Sequence, residues 1–248
     1  MKKVKLSIMA LILVGAIACK KTDNSSVKIN TNVSSDDAAD MVAGSLSVNS
    51  NGFAGISNDV AVQSQVYADA HLACGSTKTD TITKKSSAGA SVTYSYGLGY
   101  SYTLNCNTSS IPDNVIGKVN YSGSFSNPHL SESSSGNLSF TLAGLTPTAT
   151  AYVLNGTFLR SGSFASKTDT AKHGNSNLSV TVQNLNFRKP GRAIASGTAT
   201  FSLNGSIPKK GNFSFTGTLV FNGDGTAKLT VNGTIYTVNL ITGEKTKD

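Results

Sequence analysis

Residues 92–106 read Val-Thr-Tyr-Ser-Tyr-Gly-Leu-Gly-Tyr-Ser-Tyr-Thr-Leu-Asn-Cys, and their alternation decides the fold. The even positions Val92, Tyr94, Tyr96, Leu98, Tyr100, Tyr102 and Leu104 are apolar or aromatic, whereas the odd positions are Ser, Thr, Gly and Asn. A period of two puts successive side chains on opposite faces of a strand, so this stretch predicts one long, half-buried strand. The same period recurs downstream in Val119, Tyr121 and Phe125, in Leu138, Phe140 and Leu142, and in Tyr152, Leu154, Phe158 and Phe164. In Leu178, Val180 and Val182 it holds, then slips to Leu185 and Phe187, which predicts a bulge near Gln183-Asn184. Phe201 with Leu203, Phe213–Phe221, and Ala227–Val231 running on to Tyr236, Val238 and Leu240 complete the series. Asn222-Gly223-Asp224-Gly225 and Asn232-Gly233 are hairpin signals between these runs. Together they predict an all-β chain, an antiparallel meander of about ten strands.

Gly123, Gly156, Gly197 and Gly217 share the phase of their strands' apolar residues. A glycine on the inward face weakens a strand unless the sheet bends there or another group comes close. The expectation is therefore a strongly curved sheet, barrel-like or folded into two packed layers. One short helix is expected before it, with Ser35 as its cap and Asp36, Asp37 and Asp40 in its first turns.

Composition supports this. Ser, Thr, Asn and Gly make up 108 of the 248 residues, charged residues only 14%, and Trp is absent. Such residues compete with or weaken helices, which argues against a helical bundle or an α/β enzyme with many crossover helices. A transmembrane barrel would need aromatic girdles and apolar residues facing lipid, and the chain has no Trp and ends Glu244-Lys245-Thr246-Lys247-Asp248.

The N-terminus reads as an address. Met1–Lys5 carries three lysines, and residues 6–18 hold no charge. A basic segment followed by a short apolar one is the pattern of a secretory signal, and thirteen residues are too few to span a bilayer as a helix. Ala16-Ile17-Ala18-Cys19 resembles the lipobox of bacterial lipoproteins, with Ala16 where Leu is commonest. That resemblance implies a signal peptide over 1–18, Cys19 as the first mature residue carrying diacylglycerol and an N-acyl chain such as palmitate, and a membrane anchored through lipid. Several acyl chains together give a stable anchor where one is marginal. Lys20 follows instead of the aspartate that retains many lipoproteins on the inner membrane, which implies the outer membrane; Lys20-Lys21-Thr22-Asp23 loosely resembles tags that send lipoproteins to the cell surface. Residues 19–34 are polar and nearly patternless, the composition of a tether, and 35–248 form the expected β-rich domain. The whole is similar in style to β-rich lipoproteins of Bacteroidota envelopes.

Removing the signal leaves 18 Lys and Arg against 13 Asp and Glu, about +5 instead of +8. Lys84-Lys85, Arg188-Lys189 and Lys209-Lys210 are short clusters without a concentrated basic face, so no nucleic-acid partner is expected. With Cys19 lipidated, Cys74 and Cys106 are an even pair in an exported chain, which predicts a disulfide clasping the base of a hairpin. His71, His129 and His173 stand far apart, no HExxH or GxSxG spacing occurs, and no carboxylate pair can be nominated. The expectation is a non-catalytic chain without metal or cofactor. Tyr94, Tyr96, Tyr100 and Tyr102 are the best candidates for binding a ligand, since aligned aromatic faces can stack on sugar rings; core packing is the competing reading of the same residues. Asp80-Thr81-Ile82 and Asp169-Thr170-Ala171 resemble the acceptor of Bacteroidota O-glycosylation, which makes Thr81 and Thr170 candidate glycan sites. The function expected is a non-catalytic envelope lipoprotein, structural or interacting with other envelope components. The alternatives are a surface glycan- or small-ligand-binding lipoprotein using the tyrosine face, and a periplasmic carrier of an apolar molecule.

Overall fold

A computed structural model describes residues 33–70, 72–189 and 193–248. The expected signal peptide, Cys19, most of the tether and His71 lie outside the described residues. Two helices come first, α1 (Ser35–Leu46) and α2 (Phe53–Asp69). Eleven strands follow: β1 (Thr77–Lys85), β2 (Thr93–Cys106), β3 (Pro112–Ser126), β4 (Leu130–Ala143), β5 (Ala151–Ser166), β6 (His173–Arg188), β7 (Ile194–Ile207), β8 (Gly211–Phe221), β9 (Thr226–Val231), β10 (Thr234–Asn239) and β11 (Lys245–Lys247). They form one antiparallel sheet in strict sequence order. Its two ends do not pair, so the sheet is open.

The alternation that predicted β2 is observed: Tyr96, Leu98, Tyr100, Tyr102 and Leu104 are all buried, and the residues between them face outward. The expected bulge is also present. Register shifts around Gln183–Asn186 on β6 and at Leu154–Gly156 on β5, with Asn184 at φ 51°. Asn232 (φ 45°) and Gly233 (φ 88°) make the two-residue turn between β9 and β10, where both positions require positive φ.

The inward glycines lie within strands, and register explains their phase. Gly123 pairs with Tyr96, Gly117 with Tyr102 and Phe140, Gly136 with Tyr121, and Gly217 with Phe201. Each glycine leaves room for the ring opposite to lie flat across its backbone. A Cβ at Gly117 would sit 2.6 Å from both the Phe140 and Tyr102 rings, so only glycine fits.

Two expectations need correction. There are two helices, not one, and the N-cap of α1 is Ser34 instead of Ser35. Ser34 and Asp37 form a reciprocal capping box, the Asp37 N–H donating to Ser34 Oγ at 3.1 Å and the Ser34 N–H to the Asp37 carboxylate at 2.8 Å. The missed helix, α2, is capped only by Gly52 and contains Gly55, Ser57, Asn58 and Ser64. It is helical because Phe53, Ile56, Val60, Ser64 and Tyr67 fall on one stripe that is buried against the sheet. Phe53 meets Phe158 of β5 and Phe221 of β8, with ring centroids 5.7 and 6.4 Å away. The sheet's second layer is thus helical: α2 packs on β2–β5, and α1 on β9–β11 and β4.

α1 is pinned from two sides. Lys172, in the β5–β6 turn, bonds Asp37 at 2.8 Å, and Lys245 of β11 reaches Asp36 at 2.8 Å and Asp40 at 3.3 Å. Deep on the inward face, Arg160 of β5 is ion-paired to Glu132 of β4, both side chains only 2% exposed. Arg160 also donates to the Tyr96 hydroxyl at 2.6 Å and lies 4.9 Å from the Phe125 ring centroid. That network satisfies charges that would otherwise be costly to bury.

Candidate functional site

The tyrosine strand is interior. Tyr96, Tyr100 and Tyr102 are at most 3% exposed, and Tyr94 is half-buried at the margin. Tyr102 packs between Tyr67 of α2 (ring centroids 5.2 Å apart, tilted) and Phe140 (5.6 Å, edge to face), Tyr96 accepts from Arg160, and Tyr100 donates to Asp59 of α2 at 3.4 Å. Burial raises the pKa of all three hydroxyls, and the nearby Asp59 carboxylate adds to the effect on Tyr100 and Tyr102. The expectation of a four-tyrosine stacking platform is corrected for Tyr96, Tyr100 and Tyr102, which are core, the last two under α2; Tyr94 stays half-buried at the margin.

The other candidates lie where ligands or enzymes could reach them. Thr81, on the edge strand β1, and Thr170, in the β5–β6 turn, are both exposed. Cys74 and Cys106 form a disulfide at the open end of the β1–β2 hairpin.

Beside that disulfide is a cleft of about 610 Å³, the size of a small-ligand site. Sequence reasoning missed it because its walls come from four separate segments. The first wall is the last turn of α2, with Gln65, Ala68 and Asp69. The second is the β2–β3 connection, where the Asn107 side chain accepts from the Ser109 and Ile111 N–H groups and so fixes Ile111 next to Pro112. Leu145 and Pro147 of the β4–β5 loop supply the third; that loop is tied down by the Leu145 N–H donating to Asp113 O. Tyr152 and Lys189 close the fourth side.

The polar groups of the cleft form a chain. Tyr152 donates to Gln65 Oε1 at 2.8 Å, and Gln65 Nε2 donates to Asp69 at 2.8 Å. The Lys189 ammonium lies 4.4 Å from the Tyr152 ring centroid and reaches Thr146 O only at 3.4 Å. Among the described residues it has no ion-pair partner within 4.0 Å. Burial lowers its pKa below the ordinary lysine value, with the Asp69 charge acting the other way. A partly desolvated cation over a ring, beside an apolar wall of Ile111, Pro112, Leu145 and Pro147, is suited to a compact anion with an apolar body.

The chain matches no protein-family model, no curated protein and no solved structure. The functional reading therefore stands on the residues and their geometry.

Proposed function

We propose that this chain is a non-catalytic, lipid-anchored module of the bacterial outer membrane that holds a small, singly anionic ligand with an apolar body in the cleft at the end of α2. The observation that carries the ligand class is the Lys189 ammonium, set over the Tyr152 ring with no carboxylate within 4.0 Å among the described residues, Asp69 of the same cleft acting on it only from farther away. Anchoring is supported by the lipobox-like Ala16-Ile17-Ala18-Cys19, and export by the Cys74–Cys106 disulfide, a bond that persists in oxidising compartments. In the same reading the sheet coils around its helices, since α1 reaches both β4 and β9–β11, strands five or more places apart in the sheet.

Two measurements test the proposal. Cells fed an alkyne-bearing palmitate should label the wild-type chain and leave Cys19→Ala unlabelled; equal labelling would remove the lipid anchor. For the cleft, NMR titration of the chain with hexanoate should shift Ile111 and Leu145 methyls, hexanamide should do so at least tenfold more weakly, and Lys189→Met should abolish the preference. Equal response to acid and amide would refute an anion site.

A further inference from the structure

The outward face of β4–β8 carries almost no charge. Between the strand ends its residues are Ser, Thr, Asn and Gln with a few aliphatics, and Arg188, at the end of β6, is the nearest exception. Register turns this composition into rows. Ser139, Thr157, Thr181, Thr200, Thr218 and Thr230 stand directly opposite one another from β4 to β9. Neighbouring rungs are spaced by the strand separation of about 4.8 Å. A solvated protein surface ordinarily mixes charges of both signs, about a quarter to a third of its residues. A charge-free hydroxyl and amide lattice across five strands departs from that pattern.

The face is also grooved. Three shallow depressions lie on it, of about 510, 420 and 340 Å³. The first crosses β2–β5 at the level of Ser95 and Ser163, the second crosses β4–β7 at Asn137 and Asn177, and the third crosses β6–β8 at Thr181 and Thr200. Each is displaced from the last by about two strands sideways and a few residues along the strands. They therefore line up on one diagonal of the face.

We propose that this diagonal trough binds an extended chain of neutral polysaccharide. A polymer of uncharged hydroxyls exchanges hydrogen bonds in kind with Ser, Thr and Asn and leaves no charge desolvated. The composition disfavours the other polymers: an anionic chain or nucleic acid needs Lys and Arg along its path, and a protein partner selects surfaces rich in aromatic residues, Met and Arg and poor in Ser. The trough shares no lining residue with the Lys189 cleft, although Tyr94 borders its first depression, so the two sites stand or fall independently.

Affinity electrophoresis of the detergent-solubilised full chain tests this, in native gels cast with dextran, mixed-linkage β-glucan or galactomannan, with polygalacturonate as the charged comparison. At least one neutral polymer should retard the protein, and polygalacturonate should not. The Asn177→Glu/Thr200→Glu pair, in the trough, should raise the dissociation constant at least tenfold with an unchanged melting temperature. The Thr141→Glu/Asn212→Glu pair adds the same charge at corners off the diagonal and should bind as wild type. The proposal is overturned if no neutral polymer retards the chain, if polygalacturonate retards it as strongly, or if trough and corner variants behave alike.

Discussion

Removing Glu132 strands a charge in the core, and the cost can be worked from its surroundings. Arg160 is fully enclosed and holds Glu132, the Tyr96 hydroxyl at 2.6 Å and the Phe125 ring face. In Glu132→Ala the guanidinium keeps the hydroxyl and the ring but loses its counter-charge, with no route to water. Breaking a buried pair from one side costs about 3–5 kcal/mol. With a urea m-value of about 2 kcal/mol/M for a chain of this size, the unfolding midpoint should fall by about 1.5–2.5 M. Replacing both partners by apolar residues of similar volume, as in Glu132→Leu/Arg160→Met, removes the stranded charge as well as the attraction. That double variant should lie within about 1 kcal/mol of wild type, or above it. Urea denaturation followed by tyrosine fluorescence gives all three midpoints. If Glu132→Ala costs under about 1 kcal/mol, or the double variant is less stable than the single, then Arg160 is not enclosed as described and the reasoning fails.

Three further outcomes follow from other parts of the fold. Gly117→Ala should destabilise by about 2–3 kcal/mol through overpacking against Tyr102 and Phe140. Gly97→Ala faces open space on the outer side and should change stability by under about 0.5 kcal/mol, so equal effects in thermal melts would contradict the inward glycine pairing. Reducing Cys74–Cys106 opens a 33-residue loop, with a loss of about 3–4 kcal/mol expected in the chain-entropy account, read from melts with and without dithiothreitol. Burial pushes the Asp37 pKa up, but its bonds to Lys172 and Ser34 outweigh this and leave it below the ordinary aspartate value. A depressed carboxyl stabilises the fold above its unfolded pKa of about 3.9 and loses that contribution as pH falls through the lower folded value. The stability gap between wild type and Asp37→Asn, about 1–2 kcal/mol at pH 7, should therefore shrink steadily below pH 4; a gap that widens there would reverse the assignment.

Much of the sheet was legible because a strand's period is local: each apolar residue of β2 announces its face through its neighbours two places away. The bulge at Gln183-Asn184 and the turn at Asn232-Gly233 were legible for the same reason, one as a phase slip and the other as a positive-φ dipeptide. α2 was not, because Gly55, Ser57, Asn58 and Ser64 weaken its intrinsic preference and only burial against β2–β5 makes it a helix. The stripe Phe53, Ile56, Val60, Tyr67 was the available signal. That omission also misplaced the tyrosines, since alternation shows which residues share a face and is silent on what covers it. The Lys189 cleft left no trace in any one segment, being assembled from four.

The meander has a consequence for a chain that emerges from a pore one end first. Every strand finds its partner in the segment immediately before it, so the sheet can grow by local zippering, with little loop closure to pay. The two helices are the exceptions, and α1 waits longest. Its side-chain partners Lys172 and Lys245 come more than a hundred residues later, and the backbone N–H groups of Val48 and Asn49 wait for Leu240 O and Ile241 O. Until β9–β11 arrive, the helix nearest the expected anchor has an uncovered apolar face, the kind of surface that holdase chaperones and proteases recognise. Its docking is complete only when the last strands are made, and a chain cut before Thr226 should be cleared instead of accumulating.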